Sequence, residues 1–216
     1  MRISRKTLIA ARKDIPENWM IPPEWALKSS IRLSLDEFQS QFVSAWSQIG
    51  SRFLKLECWR RYREIEASES QDAYICGDVA KARELLRQEA EADRPLYDGI
   101  GQRGIDYARV RLVQEPLTPY LEYELMAYQI RAQMGEHIEV VRCGQALRIP
   151  NEEFFDFLLF DRHTMLLHDY GHGEAGWQSG GWVTHNGDVI AFLESKAMML
   201  RQSAVTLQDF LTEIGR

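Results

Sequence analysis

The chain has 216 residues with an apolar share of 45%, enough to bury a sizeable core and to exclude a wholly disordered polymer. Its formal charge of −6 runs against the basic face with which a free-standing nucleic-acid binder neutralises phosphates, so direct nucleic-acid binding is not expected. No stretch approaches the about 18 apolar residues of a membrane span, and no membrane association is expected.

Residues 1–33 hold Pro16, Pro22 and Pro23 among Trp19 and Trp25. Proline fixes φ and removes a backbone donor, so this stretch reads as an extended arm laid on the domain or on a partner. It is the candidate contact for a homo-oligomer. The basic residues Arg2, Arg5, Lys6, Arg12 and Lys13 read as a solvated terminus. Residues 34–216 read as a single domain.

Ser34-Leu35-Asp36-Glu37 is a capping-box signature, and Leu35, Phe38, Phe42, Trp46 and Ile49 follow at helical spacing until Gly50. Arg52 to Cys58 alternates and predicts a strand. Asp78 can cap a helix carrying Val79, Ala82, Leu85 and Leu86, and Pro95, Gly99, Gly101 and Gly104 then predict a loop. Tyr107 to Val113 alternates strictly, as a half-buried strand does, with Tyr107, Arg109 and Arg111 on one face.

Thr118-Pro119 reads as an N-cap followed by proline at the first helical position, in a helix with Leu121, Leu125 and Tyr128 buried and Gly135 as its stop. Three apolar segments follow, Ile138–Val141, Phe154–Phe160 and Thr164–Leu167, the last two joined by a tight hairpin at Asp161-Arg162. Gly171 to Gly187 reads as a loop or irregular ribbon. A last helix begins near Asp188 and continues or restarts through Leu211. The order β-α-β-α-β-β-β-α after an N-terminal helix predicts an α+β fold, helices on a mainly antiparallel sheet of about five strands.

Cys58, Cys76 and Cys143 show no metal-ligand spacing, and two sit in apolar runs as small hydrophobes would. They point to a reducing, cytoplasmic setting. There is no GxxxxGK[ST] loop, no GxGxxG after a strand and no GxSxG elbow, so no metal or cofactor is assigned.

The densest polar cluster runs from Asp161 to Glu174 and contains three of the five histidines. Imidazole exchanges protons near neutral pH, so His168, with Asp161 and Asp169 beside it, is the candidate acid-base set. A solvated turn would account for the same composition. The string Leu166 to His172 resembles the metal-binding heart of HD-type phosphohydrolases, which would draw in His137 and Asp188 or Asp209. That fold is all-helical, whereas the aromatic run Phe154–Phe160 suits a strand.

A second set lies on the helix after Thr118. Tyr120, Glu124 and Arg131 are spaced four and seven apart and share a stripe distinct from the apolar one. With Arg111 they are candidate ligand-binding residues, or simply surface charge. The arginine face of the preceding strand either meets water or lines an anionic-ligand pocket.

Several of these segments together resemble a known family. Phe53-Leu54-Lys55-Leu56-Glu57 with Tyr62 looks like its early strand, and Arg109-Val110-Arg111-Leu112-Val113-Gln114-Glu115-Pro116-Leu117-Thr118-Pro119-Tyr120 resembles its central segment, continued by Glu124-Leu125. Gly135-Glu136-x-Ile138, Asp156 to Asp161, His168 after Leu166-Leu167, and Ala204-Val205-x-Leu207 follow in order. Over residues 34–212 the chain is similar to the domain of unknown function family 6879, seen mostly in actinobacteria. The resemblance implies a regulatory accessory role beside a helix-turn-helix regulator, and it singles out Arg111, Tyr120, Glu124, Asp161 and His168. Its expected outcome is a module binding a small molecule or such a regulator. The alternative is a transferase or hydrolase working through His168 with Asp161, Asp169 or Glu124. The arm before residue 34 and the stretch Gly171–Gly187 are longer than the resemblance predicts.

Overall fold

The computed structural model describes residues 21–62, 68–144, 149, 151–170 and 178–215. In chain order these form α1 (Glu24–Leu27), β1 (Ser30–Leu33), α2 (Leu35–Gln48), β2 (Arg52–Glu57), α3 (Glu69–Ile75), α4 (Val79–Arg103), β3 (Asp106–Gln114) and α5 (Pro119–Gln133). There follow β4 (Ile138–Cys143), β5 (Phe157–Phe160), β6 (Thr164–Asp169), β7 (Gly180–Thr184), α6 (Gly187–Gln202), β8 (Val205–Thr206) and α7 (Leu207–Glu213). The helix starts carry the expected caps. Ser34 and Glu37 exchange the two capping-box bonds on α2, and the Thr118 hydroxyl accepts from the Leu121 amide of α5 at 3.2 Å.

The strands form one eight-stranded sheet in the order β1-β7-β6-β5-β2-β3-β4-β8. Most pairings are antiparallel, but β2, β3 and β4 run parallel, because the links between them contain helices α3–α4 and α5. The expectation of about five strands is therefore corrected to eight, and the order differs. The extra strands are β1, in the proline- and aromatic-rich stretch before residue 34, β7, and the two-residue β8.

The strand β7 falls in the glycine-rich stretch read as a loop or ribbon, and its glycines serve close approach. A Cβ on Gly181 would sit 2.3 Å from the Leu167 carbonyl and 2.5 Å from the Phe38 ring. Gly180 has φ +141°, and a Cβ there would meet the Leu33 carbonyl at 2.4 Å.

The loop predicted from Pro95 to Gly104 is also corrected: α4 runs through to Arg103 and ends on Gly104 in the left-handed conformation. Burial of Tyr97 and Ile100 on this final stretch outweighs the missing proline donor and the glycines.

Apolar residues cover both faces of the sheet. On one face Leu54, Leu56, Val110, Leu112, Phe157 and Leu167 pack under Val189, Ile190, Leu193 and Ala197 of α6. On the other, Phe53, Leu158, Phe160 and Leu166 pack under Phe38 and Ala45 of α2 and Tyr97 and Ile100 of α4. Full burial of each such side chain contributes about 1.5–3 kcal/mol. The strand β3, expected to be half-buried, is buried on both faces over its last seven residues. Among the described residues no helix is long and apolar enough to cross a membrane.

Candidate functional site

On the face that carries α2, α4 and α5, the alternation of β2 aligns Lys55 and Glu57 with Arg109 and Arg111 of β3, which are their register partners. The apolar covering gives way here to a polar floor. Arg109, 7% exposed, lies between two carboxylates: Nη1 donates to both oxygens of Glu57 at 3.0 and 2.9 Å, and Nε to Glu136 at 2.6 Å. Lys55 ion-pairs with Glu57 at 2.7 Å, and the Tyr128 hydroxyl donates to it at 2.5 Å. Glu136 also accepts from Tyr107 at 2.6 Å and Tyr97 at 3.0 Å. Burial alone would raise the Glu57 carboxyl, yet Arg109, Lys55 and Arg111 outweigh it and hold it well below the usual range.

The helix α5 crosses this floor. Arg111, 1% exposed, pairs with Glu124 at 2.6 Å and donates to the Trp59 carbonyl at 2.5 Å. The Tyr120 hydroxyl donates to Glu124 at 2.6 Å, one helical turn away. Burial raises the Glu124 carboxyl despite the opposing pull of Arg111. Burial likewise pushes the phenols of Tyr120, Tyr128 and Tyr170 well above their ordinary range, with the adjoining carboxylates adding to it.

A third wall comes from the start of β5 and the end of β6. The Asp156 carboxylate accepts from the Cys58 and Trp59 amides at 2.7 and 3.1 Å and from the Tyr170 hydroxyl at 2.6 Å. Trp59 stacks on Tyr170, which stacks on His168 at 5.7 Å between centroids. Neither ring nitrogen of His168 has a hydrogen-bond partner of good geometry among the described residues. Burial, then the nearby Lys55 charge, lowers its pKa to about 4, while the Gln178 side chain pulls weakly the other way. His168 is thus a neutral imidazole at pH 7.

Together these walls line a half-open cavity of about 590 Å³, with Glu89 and Asp93 of α4 along its fourth side. It lies over the carboxyl half of β2, where open sheets with parallel strands commonly bind ligands. Four of the residues singled out in the sequence line it: Tyr120, Glu124, Arg131 and His168. Arg111 stands behind Glu124 and sets its charge. Both arginines of that strand face are buried against carboxylates, Arg109 among the lining residues and Arg111 behind them.

Asp161 and Asp169 are not among the lining residues. Asp161 sits in the β5–β6 turn at φ +51°. Its carboxylate accepts from the Gly50, Ser51 and Arg52 amides at 3.0, 2.7 and 2.9 Å and from the Ser51 hydroxyl at 2.7 Å. Against the upward push of burial, those donors hold it at about 2. Asp169 points to the opposite face from His168, is buried there and ion-pairs with Arg32 of β1. His137 hydrogen-bonds Glu139 on β4, four strand spacings from β6, or roughly 19 Å. The sheet thus separates the histidines that an HD-type site would unite. Among the described residues no group of three His, Cys, Asp or Glu side chains is arranged to hold a metal ion.

Sequence reasoning did not nominate Lys55, Glu57, Glu89, Asp93, Tyr128, Asp156 and Tyr170. The usable signal was a charge interrupting an apolar strand, as in Leu56-Glu57 and Phe155-Asp156-Phe157, in phase with the arginines of β3.

The family described as domain of unknown function DUF6879 matches residues 40–212. No curated protein matches. Among solved structures, the chain is similar to a phospholipase D family member, Nuc from Salmonella typhimurium, at 12% identity over 78% of this chain and 89% of that one, with a TM-score of 0.42. A phosphatidylserine synthase from Haemophilus influenzae gives 9% identity over 81% of this chain and 38% of that one, with a TM-score of 0.39. Likenesses this loose say nothing of chemistry.

Proposed function

The chain belongs to the DUF6879 family, a domain of unknown function, and we propose that it is a small-ligand-binding accessory module acting for a helix-turn-helix regulator. One observation carries the reading: polar side chains from the sheet, α4 and α5 converge on one cavity whose floor is buried and whose walls are cross-bonded and held by packed elements. A mutually bonded polar wall is preorganised, so a ligand entering it meets groups that need little further ordering. The regulator would supply the DNA contact that a chain of formal charge −6 lacks. The test is a thermal-shift screen of metabolites together with co-purification of the chain with an adjacently encoded regulator. Stabilisation by a ligand, with a change in regulator affinity, is expected; no shift and no complex would refute the proposal.

A second reading is favoured by His168. A neutral imidazole at a cavity wall, with neither nitrogen in a hydrogen bond of good geometry among the described residues, is equipped to take a proton from a bound substrate. As an enzyme, transferase or hydrolase, the protein would use His168 as base with Glu124 nearby. Any turnover found should then fall by at least about 100-fold in His168→Ala while ligand affinity changes little.

A further inference from the structure

We infer that the occupant of this cavity is an organic cation, an amine whose nitrogen is held by carboxylates and tyrosine rings. The inference rests on the reading of the cavity as a ligand site and narrows it to one ligand class.

The described lining residues carry five carboxylates against three cations. The cations are already engaged. Lys55 and Arg109 are bonded to Glu57, Arg109 also holds Glu136, and Arg131 stands 3.7 Å from Asp93. Glu124 is neutralised from behind by Arg111. Glu89 and Asp156 are left with no ion pair among the described residues: Glu89 accepts from the Ser70 hydroxyl at 2.8 Å, and Asp156 only from amide, thiol and phenol donors. Among the described lining residues, an anionic ligand would meet this surplus with every cation already paired to a carboxylate. A cationic one would complete it.

The hydrogen-bonding pattern points the same way. Tyr128, Tyr120 and Tyr170 donate their hydroxyl protons to Glu57, Glu124 and Asp156. What those phenols still offer a ligand is oxygen lone pairs and the negative faces of their rings. His168 at the same wall, with no hydrogen bond of good geometry among the described residues, can accept as well. Acceptors, ring faces and surplus carboxylates together are the surroundings that stabilise an ammonium group.

The test is differential scanning fluorimetry and calorimetric titration of the full chain with matched probes. The cations are 1,4-diaminobutane, spermidine and choline; the neutral isostere is 1,4-butanediol; the anions are succinate and inorganic phosphate. The cations should raise the melting temperature by about 3–6 °C at ten times their dissociation constant, and the isostere and anions should not. Glu89, exposed on the rim, can be changed without disturbing the core. Glu89→Gln should weaken amine binding about threefold to tenfold. Glu84→Gln, on the outer face of the same helix, should leave it unchanged. Equal stabilisation by butanediol and diaminobutane, preference for the anions, or equal effects of the two substitutions would overturn the amine assignment and leave the ligand site standing. Failure of every probe, whatever its charge, would overturn the assignment and count against the ligand-site reading itself.

Discussion

The buried pair Arg111–Glu124 offers the sharpest energetic test of the cavity wall. Arg111 is 1% exposed and Glu124 8% exposed, and their charged atoms are 2.6 Å apart, so water can replace neither partner. Removing one partner of such a pair typically costs about 3–5 kcal/mol, because the other charge is left buried. The two single losses should differ. After Arg111→Met the Glu124 carboxyl, already raised by burial, can take up a proton while keeping its Tyr120 bond, which places the cost near the lower end. After Glu124→Gln the guanidinium cannot shed its proton, which places the cost near the upper end. The double variant should be less destabilised than the sum of the singles by about 2–3 kcal/mol, the coupling expected of a contacting pair. Urea unfolding followed by circular dichroism, with constant m, measures all four corners. Additive singles, with coupling under about 0.5 kcal/mol, would refute the view that these charges neutralise each other.

The other predictions concern pH and backbone. His168 has a folded pKa of about 4, below its ordinary 6.5, so on acidification the unfolded chain takes up the proton first. Its contribution is present above pH 6.5 and is lost as pH falls toward 4. Between pH 7 and 4.5 the wild type should lose about 2 kcal/mol more stability than His168→Phe, and parallel profiles would contradict a neutral, half-buried ring. Gly181→Ala should destabilise by roughly 3 kcal/mol or more, since its Cβ would strike the Leu167 carbonyl. Gly187→Ala, with open space around the Cβ, should be neutral to slightly stabilising in the same urea titration.

Elements with strong local signals were legible in the sequence: the capped helices α2 and α5, the alternating strands β2 and β3, and the β5–β6 hairpin at Asp161. What was not legible depended on distant partners. The glycines of β7 look like loop residues until the Leu33 and Leu167 carbonyls and the Phe38 ring are seen beside them. Pro95 looks like a helix stop until Tyr97 and Ile100 are seen buried beyond it. In the candidate site, the stripe of Tyr120, Glu124 and Arg131 could be read from spacing because one helix carries it. Glu57, Glu136 and Asp156 could not, since their roles come from the cations and phenols that β3, α4, α5 and the end of β6 bring to them. His168 and Asp169 stand side by side in sequence, but strand alternation sends them to opposite faces.

Ala127 lines the cavity between the Glu124 and Arg131 turns of α5 and belongs to none of the polar bonds described above. The ligand giving the largest thermal shift should be titrated calorimetrically into the wild type and into Ala127→Trp, whose indole would fill the space without removing a charge. One site per chain is expected in the wild type, with at least a tenfold loss of affinity, about 1.4 kcal/mol, in a variant that still unfolds cooperatively. Equal affinity in the two proteins would show that the ligand binds elsewhere and that the cavity is not the site.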